Sequence, residues 1–358
     1  LLTPLGAERA GNTAGTIPAW EGGISRPPSG YKPGEHHIDP FPDDQPRLTI
    51  TADNLDEHAD RLSPGQQALL RANPDSWYLQ VYPTRRTASY PEWVYDAVHD
   101  NARTARLLTA GKGGVAEANV SSPFPVPASG VEAVWNHILR WRGLRIQRSF
   151  GQAAVTRRGR YTVTLSMQDF AFPYAAHPDG PLRTKFPNLL LALKSKTIQP
   201  GLLSGDGTLV LEPIDQTIAP RKTWIYSRNL RRILRQPLFA NGFPAADTDS
   251  LRTVDEFDMF NGSPSQYDWV LKGKQELYIP YNAYRIHDSS HDLDDIIQTQ
   301  HINPDLARYE LHRVWVVEGT LKPGMKHIYS RRVFYIDEDS WQIAVMDSYD
   351  KDGKLWRT

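Results

Sequence analysis

Past Gly143 the spacing of apolar residues falls from a helical period to a period of two, and this switch limits the possible folds more than any other feature of the chain. In RYTVTLSMQD, Tyr161, Val163, Leu165 and Met167 alternate with Thr162, Thr164, Ser166 and Gln168, the pattern of a strand with one apolar and one wet face. Arg157-Arg158-Gly159 supplies a hairpin turn just before it. Further strands are expected at 144–156, 189–198, 208–214, 221–228 and 230–235, with glycine-containing turns at 204–207 and 351–353. The last fifth, YELHRVWVVEG, KHIYSRRVFYID, SWQIAVMDSYD and GKLWR, reads as a β-meander. Consecutive hairpins imply antiparallel pairing, and without strand–helix alternation a doubly wound nucleotide-binding sheet is disfavoured.

Helical signals precede the switch. Ser63-Pro64-Gly65-Gln66 combines a capping serine, a proline at the first helical position and a glutamine able to return a hydrogen bond, so a helix is expected through Ala72. A second is expected from Pro91 past Leu107 and Leu108, ending before Gly111. A third starts at Ser129 with Glu132 three residues on, and carries Val134, Trp135, Ile138 and Leu139 on one stripe. Residues 1–48 are crowded with Gly and Pro and show neither period, so they read as an extended arm pinned by Trp20, Ile24, Tyr31 and Phe41. The expected organisation is an arm over 1–48 and one β-rich α+β domain over 49–358, with helices mainly in 51–143 and antiparallel sheet mainly in 144–358.

Forty-one basic and 41 acidic residues cancel, leaving no long-range field to draw in nucleic acid or an anionic bilayer. Cysteine is absent, which excludes disulfides, thiolate metal sites and cysteine nucleophiles. The chain starts at Leu1 without Met, as expected if a signal peptide has been removed.

No nucleotide or cofactor motif is found, since GKGG at 111–114 lacks phosphate-loop spacing, and no serine-hydrolase elbow is present. The best metal candidate is HDSSHD, where His287 and His291 would share a helix face, but Asp and Ser favour a polar loop there. DKDG near the end reads as a hairpin turn rather than a calcium loop. The carboxylates at Asp255, Glu256 and Asp258, and at Asp337, Glu338 and Asp339, read as solvated turns rather than a catalytic pair. Arg228, Arg231, Arg232 and Arg235 form a basic cluster that strand alternation would split between faces, with ion pairing the commoner use. The polar stretch from Asn241 to Ser265 and the loop from Ile286 to Pro304 read as insertions into the sheet. What remains is apolar side chains on an antiparallel sheet, which serve equally as a packed core or a dry cavity.

Several strings decide between them: RVWVVEGTLKPGMKHIYSRRVFYIDEDSWQIAVMDSYDKDGKLW at 313–356, NLRRILRQPLF at 229–239, RTVDEFDMFNGSP at 252–264, KQELYIPYN at 274–282, SWYLQVYPTRRTASYPEWVY at 76–95, and LTPLGAERAGN with IPAWEGG near the start. Together they resemble an uncharacterised family of Gram-negative periplasmic proteins similar to outer-membrane lipoprotein-sorting proteins. The resemblance implies a fold like the carriers LolA and LolB, an incomplete antiparallel β-barrel with helices packed in its concave face and an apolar cavity. It also implies a signal peptide, a periplasmic and outer-membrane-associated location, and work beside an RND-type inner-membrane exporter and an outer-membrane protein. It carries no catalytic motif. The expected function is a carrier for a lipid or other hydrophobic molecule, lined by Trp135, Val163, Leu165, Trp224, Tyr226, Trp315, Phe334 and Trp341. Its rivals are a metal-dependent hydrolase at His287 and His291 and a non-catalytic envelope scaffold.

Overall fold

The computed structural model describes residues 1–109, 113–236, 242, 244, 245, 248 and 250–358. Half of GKGG, the end of NLRRILRQPLF and part of the 241–265 stretch lie outside the described residues.

Short strands β1 (Leu48–Ile50) and β2 (Leu79–Val81) pair antiparallel and flank helix α1 (Pro64–Ala72). The expected capping box is formed, with the Ser63 side chain accepting from Gln66 N and the Gln66 side chain accepting from Ser63 N. Helix α2 (Glu92–Thr104) stops short of the expected end, because Leu107 and Leu108 enter a two-stranded ladder of β3 (Arg106–Leu108) and β4 (Gly114–Ala116). Helix α3 (Gly130–Leu139) is capped by Ser129 and is buried on almost every side. An all-round burial of this kind follows from its position between two layers.

The strand-rich remainder forms two sheets rather than one, and neither closes into a barrel. The first is a six-stranded antiparallel meander of β5 (Arg145–Val155), β6 (Tyr161–Ala171), β7 (Leu189–Gln199), β8 (Gly207–Pro213), β9 (Lys222–Ser227) and β10 (Arg232–Gln236). A short helix α4 (Pro181–Lys185) lies in the β6–β7 connection. The second sheet is built on β11 (Tyr267–Pro280), β12 (Tyr309–Leu321), β13 (Arg331–Asp337), β14 (Ile343–Tyr349) and β15 (Leu355–Arg357), and it recruits β1 and β2 at the edge where β13 leaves β12. A one-turn helix α5 (Leu293–Ile296) sits in the β11–β12 connection.

Strand β11 escapes a reading by alternation because a bulge at Gly273 shifts its parity. Trp269 and Leu271 share a face with Val317 and Gly319 before the bulge, and Lys274, Glu276 and Tyr278 share that face after it. On this face α3 packs with no room to spare, since a Cβ at Gly130 would lie 2.8 Å from backbone atoms of Trp269 and Val270. Phe334, Trp341, Val317 and Phe260 join its Trp135 in the main core, which also takes Leu190 and Ile214 from the ends of the six-stranded sheet.

The first 47 residues contain no helix or strand. They lie on the body through specific bonds. Trp341 Nε1 donates to Leu5 O at 3.0 Å, Trp20 Nε1 donates to Ala88 O at 3.1 Å, and the Arg86 guanidinium donates to the carbonyls of Glu8, Arg9 and Pro18. Leu5, Ala7, Ile17 and Trp20 are buried as a result. Among the described residues, no helix is long and apolar enough to cross a membrane.

Candidate functional site

A cavity of about 280 Å³ lies between the inner face of β6–β9 and the segment from Arg252 to Gly262. Its floor consists of two rungs set by strand register. One is Phe170–Leu193–Val210–Thr223 and the other is Gln168–Ser195–Thr208–Ile225. Leu190, Leu191 and Ile138 close one end, and Val254, Phe257 and Phe260 cover the top. Phe172, Phe170 and Phe257 stack in series, with centroids 5.9 Å and then 6.3 Å apart. The Arg148 guanidinium lies 5.1 Å from the Phe170 ring and 5.5 Å from Phe257, so the apolar wall ends in a cation held against aromatic faces.

The covering segment is a strap held by buried charges. Asp255 accepts from Arg332 Nη1 at 2.8 Å and lies 3.2 Å from His327 Nε2, with all three side chains fully buried. Burial alone would raise the Asp255 pKa, but the Arg332 and His327 charges hold it well below the usual carboxylate range. Further along, Asp258 accepts from Arg140 at 2.7 Å and Arg142 at 2.5 Å, and its pKa falls to about 2 because these two guanidinium groups outweigh burial. The Asp258 carbonyl accepts from His137 Nε2 at 2.9 Å, while His137 Nδ1 accepts from Ile343 N at 3.1 Å. That pattern fixes the neutral tautomer, and burial followed by the nearby Arg140 charge lowers the His137 pKa to about 3. One neutral imidazole therefore ties α3, the strap and β14 together.

At the other end, Glu212 accepts from Arg221, which also donates to Asn261 on the strap. Burial raises the Glu212 pKa against the pull of Arg221. The site is thus a trough whose floor mixes Phe170, Leu193, Val210 and Ile225 with Gln168, Ser195, Thr208 and Thr223, and whose ends carry fixed charged groups.

The eight residues expected to line a cavity divide into two groups, and none lines this one. Trp135, Phe334 and Trp341 are buried in the core beneath it, and Trp315 is partly buried there, stacked parallel to Trp341 at 6.3 Å. Val163, Leu165, Trp224 and Tyr226 occupy the opposite, outer face of the six-stranded sheet, because Gln168, Phe170, Thr223 and Ile225 face inward. The inward set mixes polar and apolar types, so composition pointed to the wrong half of the alternation. The usable signal was the Leu189–Leu193 run, which supplies three of the lining residues.

His287 stands at the rim of a second, open cleft of about 670 Å³ and meets the arm, with its ring 4.7 Å from His36 and 5.3 Å from His37. His291 lies in a turn in which His291 N donates to Asp288 O and Ser290 N donates to the Asp288 side chain, so HDSSHD is a polar loop. Among the described residues, the one group with metal-ligand geometry is His312, Asp337 and Asp339. The carboxylates at 337–339, read from sequence as a solvated turn, are in fact buried. Their lone pairs are largely taken, since Asp339 receives a bidentate Arg86 at 2.6 and 2.8 Å and His312 Nε2 lies 3.1 Å from Glu310. Asp337 Oδ1 alone lacks a hydrogen-bond partner. This is an ion-pair network rather than a vacant coordination shell.

Among solved structures, a putative outer membrane lipoprotein-sorting protein domain from Vibrio parahaemolyticus aligns with a TM-score of 0.38 at 13% identity, over 63% of this chain and 74% of that one. A DUF1329 family protein from Desulfovibrio piger aligns with a TM-score of 0.34 at 16% identity, over 60% and 69%. The LolA superfamily protein NE2245 from Nitrosomonas europaea gives 0.26 at 11% identity, over 59% and 66%. The chain is 43% identical to the uncharacterized protein PA3922 of Pseudomonas aeruginosa over 356 residues, 99% of this chain and 78% of that protein. The model of the protein family of unknown function DUF1329 matches residues 49–358, and the chain belongs to that family.

Proposed function

We propose that the protein is a non-enzymatic carrier that shelters one lipid-like or other hydrophobic molecule in the trough under the 252–262 strap. The observation that carries this reading is the pair of rungs across β6–β9, left unfilled by the protein's own side chains and covered by a strap anchored at Asp255, Asp258 and Asn261. Small-molecule pockets start at about 300 Å³, so a volume of 280 Å³ suits a slender chain or a single ring system. The charged ends at Arg142 and Arg221 suit a cargo with a polar head. In this reading the carrier works in the periplasm, between an RND-type inner-membrane exporter and an outer-membrane protein; the sequence resemblance supports that setting.

Native mass spectrometry of protein purified without detergent, followed by lipid extraction, is expected to find a bound amphiphile, and the emptied protein is expected to take up a fluorescent fatty acid. Failure of both, with the fold intact, overturns the carrier reading.

A further inference from the structure

A net charge of zero does not say where the charges lie. The β7–β8 and β9–β10 hairpins turn at the same end of the six-stranded sheet, and their turns touch. Arg228 Nη1 donates to Ser204 O at 2.9 Å, and Arg228 N donates to Asp206 Oδ1 at 2.8 Å. Apolar side chains project into water from these tips, with Leu202 80% exposed, Leu230 62% and Ile233 68%. Scattered exposed leucines are ordinary, whereas a group on adjoining tips ringed by one sign of charge is not.

That ring is cationic. Arg228, Arg231, Arg232 and Arg235 are all exposed, and among the described residues none forms an ion pair. Strand alternation splits only Arg232 and Arg235, which point to opposite faces of β10, whereas Arg228 and Arg231 sit in the turn itself, Arg231 with φ 49°, beside Arg232 at the first rung. Asp206, on the neighbouring turn, is occupied by Arg228 N. The cavity lining uses none of these side chains.

We propose that this end of the sheet docks on the surface of an anionic lipid bilayer. The leucines enter the boundary between headgroups and acyl chains, and the arginines pair with lipid phosphates. Charge complementarity selects this occupant, since narrow projecting tips with unpaired arginines suit a deformable phosphate-rich surface. The inference goes beyond the carrier reading and does not depend on it.

The test is cosedimentation of the whole chain with vesicles of phosphatidylcholine alone and of phosphatidylcholine mixed with phosphatidylglycerol. Binding is expected only to the mixed vesicles, and to weaken as salt is raised. Each surface arginine contributes about fivefold, so the double variant Arg231→Gln, Arg232→Gln is expected to bind about 25-fold more weakly. Leu202→Ser with Leu230→Ser is expected to lower binding at least about tenfold. Both double variants change exposed side chains only, and are expected to melt like the parent and to bind fluorescent fatty acid equally well. That control separates failure here from failure of the cavity. Equal binding to both vesicles, undiminished binding by the arginine variant, or sedimentation with neither vesicle overturns the proposal, the last leaving the patch to an acidic protein partner.

Discussion

Replacing Val210 by Trp tests the trough directly. Val210 sits mid-rung between Leu193 and Thr223, and its side chain borders the 280 Å³ space. At roughly 30 Å³ per water, that space holds on the order of nine waters or as many methylenes. At about 0.8 kcal/mol per buried methylene, complete filling gives about 7 kcal/mol. That corresponds to a Kd near 10 μM. An indole in place of the isopropyl group excludes at least about four methylenes, or ~3 kcal/mol, and weakens binding more than about a hundredfold. Stability provides the second readout. In a filled core the larger ring would cost about 1–3 kcal/mol through overpacking, whereas in an empty trough it lies in space already present. Titration with a fluorescent fatty acid and thermal melting of Val210→Trp are therefore expected to show lost binding with an unchanged or raised Tm. A lowered Tm together with parental affinity refutes the cavity.

Three further outcomes are expected. Arg332→Met leaves Asp255 buried with only His327 and the Thr253 hydroxyl beside it, and urea unfolding should show a loss of about 3–5 kcal/mol and a loosened strap. Burial, followed by the Asp339 charge, raises the Asp337 pKa to about 6. The folded protein therefore keeps a proton that the unfolded chain releases near 3.8. Ionised Asp337 opposes folding above pH 6, so Asp337→Asn should melt higher than the parent at pH 8, with the difference shrinking as the pH falls toward 4. Gly130→Ala drives a Cβ into the backbone of Trp269 and Val270, and calorimetry should register a loss of about 1–3 kcal/mol as α3 is pushed off β11.

Alternation made the strands legible, and capping made the helix starts legible, because both are local. The split into two sheets was not, since it depends on pairings such as Tyr309 with Val81 that no local pattern encodes. The choice of inner face was equally hidden. Ser195, Thr208 and Thr223 face the trough beside Leu193 and Val210, so the wet and dry sides of β7–β9 do not sort by polarity. The strap read as a polar insertion because Asp255, Glu256 and Asp258 look solvated until Arg332, Arg140 and Arg142 arrive from distant strands and helices. The arginine cluster was visible, but its lack of partners was not.

Leu5 and Trp341 meet although they are 336 positions apart in sequence. The core around them cannot close until the β13–β14 hairpin meets the arm, so the entropy of joining two segments this far apart in sequence weighs on folding. Until then Trp341, Ile343 and their neighbours have no lid, and the polypeptide remains unfinished for as long as that search lasts. Refolding followed by Trp fluorescence should accordingly be slow, and slower than the appearance of the local β5–β6 hairpin.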